Sequence, residues 1–323
     1  MNVGVIGVGY WGKNIVRNLV NCQKIEKIFI FDINDKKKKD IKKHYPSVVL
    51  TDSINELLEK NIEIVFVITP PETHFELGEK ILENNKHLYL EKPFVLSLKE
   101  ADLLIRKAQK KNLKIMSGHT FLYSPPVRKI KELVDSGEIG KIEFISFRRI
   151  NLGIHRQDVN VLWDLLPHDL SMIFYWLGFD TEILESKTLL KTTVGEHPDV
   201  GFVMLKFPDN IIAEGIVSWL SPRKIRETII VGSKKMILYN DTEAEEKIKI
   251  YDKKVEELEP SDFGEYQLAY RVGDITVPSL DTYEPLSLMV KDFIFSIEKD
   301  KSPLSNGELG LKIVKSIEKI LKS

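Results

Sequence analysis

The feature that most constrains this chain lies at its start, where MNVGVIGVGYWG places an apolar run, Val3, Val5 and Ile6, directly before Gly7, Gly9 and Gly12. The glycines follow the spacing G-x-G-x-x-G, and a helix-compatible segment, 13–20, comes next. After a strand, the first glycine permits a tight turn. The second lets backbone approach a pyrophosphate, and the third lets helix and strand pack closely. A phosphate would then lie on open N–H groups at a helix N-terminus, where the helix dipole favours negative charge.

The next hundred residues fit that turn. Short apolar segments at 2–6, 27–31, 64–68, 87–90 and 113–116, with a shorter one at 48–50, alternate with helical patterns at 13–20, 35–44, 54–60, 72–84 and 97–110. Strands this apolar, separated by helices, predict a doubly wound parallel sheet covered on both faces, an α/β Rossmann domain. Ligands bind such sheets beyond the carboxyl ends of the strands. Those ends carry the candidate residues. Asp32 stands twenty positions after Gly12, suited to a ribose 2′-hydroxyl and equally able to cap a turn. It repels a 2′-phosphate, so NAD is favoured over NADP, although the lysines at 36–39 could hold that phosphate. Thr69-Pro70-Pro71-Glu72-Thr73-His74 forms a rigid strand exit. Glu91-Lys92-Pro93 forms another, where a lysine could polarise a hydroxyl or belong to a surface ion pair.

Past Met116 the pattern changes. A helix at 127–136, a long strand at 141–150 and strands at 182–190, 200–207, 211–219, 227–231 and 235–239 predict an α+β domain with a large open, mainly antiparallel sheet. The segment 260–283 reads as irregular, and helices at 285–298 and 308–321 close the chain. The expected division is 1–120 for the dinucleotide-binding domain and 121–323 for the substrate-binding and oligomerisation domain. Within the second domain Asp164 and His168 are four apart, one helical turn, so that the carboxylate could orient the imidazole as a general base. With Asp164 as helix N-cap, Pro167 falls at N3, where a missing N–H is harmless.

At 323 residues two domains are expected, and a net charge of −1 provides no field for gathering nucleic acid or an anionic membrane. No apolar run reaches the roughly 20 residues that span a bilayer, and a strand at the very start leaves no signal-peptide pattern, so a cytoplasmic location is expected. The single cysteine excludes an internal disulfide and a cysteine-built zinc site, and the histidines lack ligand spacing, so no metal is expected.

GVGYWG at 7–12, TPPETH at 69–74, EKP at 91–93, DLLPH at 164–168 and EPLSLMVKDFIFSI at 284–297 together resemble the glucose–fructose oxidoreductase / inositol dehydrogenase (Gfo/Idh/MocA) family. The resemblance implies hydride transfer between a sugar secondary alcohol and a nicotinamide, with Lys92, Asp164 and His168 as the catalytic set. It implies that Glu91 and the Thr69 loop border the nicotinamide end, so the cofactor-site candidates are Gly7, Gly9, Tyr10, Trp11, Gly12, Asp32, Thr69, Pro70, His74, Glu91 and Lys92; Tyr123, Asn160 and Arg156, whose fork suits a phosphate or carboxylate, are candidates to join Lys92 and His168 around substrate. Lys92 and His168 are both open as the formal base. GYWGKN, GHTFLYSPPV and NVLWDLLPHDLS are most similar to UDP-N-acetylhexosamine and UDP-N-acetylhexosaminuronate 3-dehydrogenases, which often carry glutamate and histidine where this chain has Met289 and Asp292. A free polyol or sugar such as inositol or glucose is the alternative substrate, and a non-catalytic cofactor-sensing regulator the alternative function. A homodimer or homotetramer is expected from the same resemblance.

Overall fold

A computed structural model describes residues 1–153, 155–257 and 268–323. The chain begins with β1 (Asn2–Ile6), α1 (Tyr10–Val20), β2 (Lys27–Phe31), α2 (Asp35–His44), β3 (Val49–Leu50) and α3 (Ile54–Glu59). It continues through β4 (Ile64–Val67), α4 (His74–Glu83), β5 (His87–Leu90), α5 (Leu98–Lys110) and β6 (Ile115–Ser117). Then come α6 (Pro125–Asp135), β7 (Ile142–Ile150), α7 (Val161–Leu177), β8 (Glu185–Lys191), β9 (Val200–Lys206) and β10 (Ile212–Ser218). The rest is β11 (Ile225–Gly232), β12 (Met236–Asn240), β13 (Ile248–Glu257), β14 (Leu268–Thr276), α8 (Pro285–Glu298) and α9 (Gly307–Leu321).

One compact unit comprises Met1–Ser124 and Tyr283–Glu318. Its six strands lie in the order β3-β2-β1-β4-β5-β6, all parallel. Val3, Val5 and the whole of β4 are fully buried, as a sheet covered on both faces requires. The order reverses between β1 and β4, so the glycine turn after β1 lies at the switch point where such sheets bind ligands. Helix α5 shows how sequence sets the flanking layers. Ser97 caps it by accepting from Glu100 N–H, and Ala101, Leu104, Ile105 and Ala108 form its buried stripe.

The C-terminal segment 283–318 packs in this unit, whereas the expected division placed it with the second domain. Phe293 of α8 meets Phe66 of β4 edge to face at 6.1 Å, and Glu318 of α9 accepts a hydrogen bond from Leu98 N–H at 2.7 Å. Gly310 lets Phe94 approach so closely that a Cβ there would lie 2.8 Å from its ring. The apolar stripe Leu286, Met289, Val290 and Phe293 is buried within the first unit. Helix periodicity reveals such a stripe but not the layer that will cover it.

The second unit comprises Pro125–Thr282 and Lys319–Ser323. Among the described residues its eight strands run β14-β13-β12-β11-β7-β10-β9-β8, antiparallel except for the parallel β7–β10 pair. Helix α7 packs on β7, β9 and β10, and Gly201 leaves room for Leu162, which a Cβ would meet at 2.7 Å. Buried Arg149 of β7 donates to Asp169 of α7 from Nε at 2.8 Å and Nη2 at 2.9 Å, fixing the helix's rotation on the sheet. Along β9, Gly201, Val203 and Leu205 are buried while Phe202 and Met204 are exposed.

β13 falls in a stretch that is strand-rich to about residue 255, although lysines interrupt its apolar alternation, and β14 occupies 268–276 of the segment read as irregular. Residues 260–267 of that segment lie outside the described residues.

Candidate active site

The glycine turn is built by contacts that only glycines permit. Gly7 has φ +94°, and a Cβ there would lie 2.5 Å from Ile68 O. At Gly12 a Cβ would lie 2.2 Å from Gly7 O, so the third glycine closes α1 onto the turn. At Gly9 a Cβ would meet nothing within 4 Å, which leaves open space over the turn. Gly9 is also the N-cap of α1, a helix without a side-chain cap or an acidic residue in its first turn. This suits an incoming pyrophosphate. Tyr10 and Trp11 stand exposed at that turn, edge to face at 5.8 Å.

Asp32 ends β2 largely buried. Its Oδ2 accepts from Val8 N–H and its Oδ1 from Asn34 N–H, each at 2.8 Å. The carboxylate thus braces the glycine turn itself, while Asn34, not Asp32, caps α2. A carboxylate oxygen has a further lone pair, so this bracing is compatible with accepting from a ribose hydroxyl. The residues present therefore fit a dinucleotide.

The TPPETH and EKP segments are joined by His74, which is fully buried. Its Nε2 lies 2.9 Å from Thr69 O and its Nδ1 2.9 Å from Pro93 O. Burial lowers its pKa despite those carbonyls. A neutral ring donates to only one of them. His74 therefore sits between the two strand exits and can donate to either carbonyl, but to one at a time. Thr69 Oγ1 and Thr73 Oγ1 share a hydrogen bond of 2.6 Å that completes the loop after Pro70.

Glu91 and Lys92 follow β5. Tyr89 OH donates to Glu91 Oε2 at 2.7 Å, and burial raises the Glu91 carboxyl above its usual range against the pull of Tyr89 and Lys92. Gly118 leaves room for this pair, since a Cβ would lie 2.7 Å from Glu91 Oε2 and 2.8 Å from Tyr89 OH. The following residue, His119, is one of the histidines that lack metal-ligand spacing. It is 1% exposed, with neither ring nitrogen hydrogen-bonded among the described residues. Burial, with the Lys92 charge nearby, holds its pKa down to about 3.

In the second unit Asn160, not Asp164, caps α7, its Oδ1 accepting from Leu162 N–H and Trp163 N–H at 3.0 and 3.1 Å. Pro167 therefore lies inside the helix, beyond its first turn, and not at the expected N3 position. Asp164 and His168 nevertheless share a face of α7, one turn apart. Asp164 Oδ2 accepts from Trp219 Nε1–H at 3.0 Å and Oδ1 from Arg156 Nη1 at 3.4 Å. Arg156 also pairs with Asp158, Nε to Oδ1 at 2.9 Å. Tyr123 is buried, its hydroxyl donating to Asp292 Oδ2 at 2.7 Å, so it braces α8. Asp292 also accepts from Leu304 N–H at 2.9 Å, which gives this departure from the subfamily pattern a structural purpose.

A glycine turn at the switch point, an acidic end to β2 and a lysine at the end of β5 define a dinucleotide-binding oxidoreductase domain joined to a sheet-based second unit. Comparison places it further. Residues 1–119 match "Oxidoreductase family, NAD-binding Rossmann fold" and residues 127–238 match "GFO/IDH/MocA C-terminal domain". The chain belongs to the Gfo/Idh/MocA family. It is 26% identical over 217 residues to myo-inositol 2-dehydrogenase of Thermotoga maritima, covering 64% of this chain and 65% of that protein. It is 27% identical over 184 residues to UDP-N-acetylglucosamine 3-dehydrogenase of Acidithiobacillus ferrooxidans, covering 55% of each. The chain thus spans between about half and two thirds of these relatives' lengths. A solved structure of the latter enzyme superimposes with a TM-score of 0.83 at 20% identity, covering 100% of this chain and 97% of that one, a likeness of fold.

Proposed function

We propose that the protein catalyses reversible oxidation of a secondary alcohol on a sugar or related polyol to the ketone. The observation that carries this reading is Lys92 at the carboxyl end of β5, in the sheet whose β1 end holds the glycine turn. A bound nicotinamide dinucleotide supplies the hydride acceptor; Asp32 favours NAD. The ammonium of Lys92 binds and polarises the hydroxyl oxygen, and His168, oriented by Asp164, takes its proton. A UDP-N-acetylhexosamine or its uronate, oxidised at C3, is the favoured substrate. The motifs GYWGKN, GHTFLYSPPV and NVLWDLLPHDLS support it, as does the relative named for that activity. Myo-inositol is the second candidate, supported by the other relative. Among the described residues no helix is long and apolar enough to cross a membrane.

The test is formation of reduced nicotinamide from NAD with UDP-N-acetylglucosamine, its uronate, myo-inositol and glucose, using the wild type, Lys92→Met and His168→Ala. Turnover of a UDP sugar that both substitutions abolish is expected. Near-normal rates in both variants would end the assignment of these residues, and binding of NAD without turnover of any alcohol would favour a cofactor-sensing regulator.

A further inference from the structure

Two of the donors to Asp164 among the described residues differ in character. Arg156 is partly exposed, shared with Asp158, and reaches Asp164 only at 3.4 Å. Its guanidinium fork also suits a phosphate or carboxylate. Trp219 is 2% exposed and donates from Nε1 at 3.0 Å. Its backbone is hydrogen-bonded on both sides and its ring is packed against neighbours. Trp219 N–H donates to Asp199 O at 3.0 Å, and its carbonyl accepts from Gly153 N–H at 3.0 Å. The His155 ring packs on it edge to face at 5.5 Å, and a Cβ on Gly153 would lie 3.3 Å from its Cδ1. Trp219 directly follows β10, one of the strands on which α7 rests.

We infer that Trp219 is a positioning residue, a neutral and immobile donor that keeps the Asp164 carboxylate in one orientation while Arg156 is released to the anionic part of a substrate. The inference rests on the reading above, in which Asp164 orients His168. An arginine alone could not perform both tasks, because each substrate-binding event would withdraw it from Asp164. An indole N–H cannot be deprotonated in the working range and offers a single donor direction. It therefore fixes orientation without adding a charge that competes with His168.

The experiment compares the wild type, Trp219→Phe, Asp164→Asn and the double variant in NAD-dependent turnover of whichever alcohol the wild type accepts, alongside the 15N–1H resonance of the Trp219 indole. Loss of one donor to a carboxylate predicts a kcat about tenfold lower in Trp219→Phe with KM changed less than about twofold. Asp164→Asn is slower still, the double variant is no slower than Asp164→Asn alone, and the indole resonance shifts in Asp164→Asn. Full activity in Asp164→Asn would refute the role given to Asp164. An impaired Asp164→Asn beside a fully active Trp219→Phe, or effects that multiply in the double variant, would overturn the role given to Trp219. Where Trp219→Phe does not fold, an indole resonance unmoved in Asp164→Asn overturns it.

Discussion

His119 makes acid sensitivity a measurable consequence of the site. Its imidazole is buried at the end of β6, and burial with the nearby Lys92 charge holds its pKa at about 3, against about 6.5 in an unfolded chain. As pH falls, the unfolded chain takes up a proton at this residue that the folded chain refuses. Stability is therefore full above the unfolded value and is lost as pH drops below it. Integrating the proton difference from about pH 8 to about pH 5 gives roughly 2 kcal/mol lost through His119 alone. His74 and His87, both lowered chiefly by burial, act in the same direction, so the wild type is steeper than this single contribution. The assay is urea unfolding by circular dichroism at a series of pH values for the wild type and His119→Gln. The difference in unfolding free energy between them should move by about 2 kcal/mol in favour of the glutamine variant over that interval. A difference independent of pH would refute the electrostatic argument. So would a His119 ring seen by NMR to titrate near its ordinary value.

The glycine turn separates fold from cofactor. Gly9→Ala, with open space for its Cβ, should keep the fold and weaken NAD binding at least tenfold by calorimetry, about 1.4 kcal/mol, whereas Gly7→Ala should unfold at lower urea because Ile68 O blocks its Cβ. Equal NAD affinity in Gly9→Ala would contradict this. Asp169→Asn strands the buried Arg149 charge and should cost about 3–5 kcal/mol in chemical denaturation, with most of it recovered in Arg149→Met/Asp169→Leu. A loss below about 1 kcal/mol in the single variant would disprove it. Phe202 and Met204 expose an apolar stripe on β9, and Phe202→Glu/Met204→Lys should lower the mass measured by light scattering if that face joins two copies. An unchanged mass would exclude the face from any assembly.

The parts of this molecule legible in the sequence are those where a local pattern and its physical cause lie in the same dozen residues. The glycine spacing, the fully apolar β4 and the Ser97 cap need no distant partner to be understood. Asp164 shows where such reasoning fails. An aspartate three residues before a proline suits a helix start, but Asn160 has the same capping chemistry four residues earlier, and the helix begins there. The identity of the capping residue depends on where the chain arrives from the sheet. Tyr123, Asn160 and His74 sit in motifs that suggest ligand contacts, and each also has a protein partner that no motif shows: Asp292, the first turn of α7 and the Pro93 carbonyl. Trp219 and His119 show the converse. An aromatic ending an apolar strand resembles ordinary core, and a lone histidine has no spacing to mark it. What distinguishes them is a donor aimed at Asp164 from another element and a pair of buried nitrogens without hydrogen bonds among the described residues. A motif thus locates the neighbourhood of chemistry, while the function of each polar atom is decided by what the fold places within about 3 Å of it.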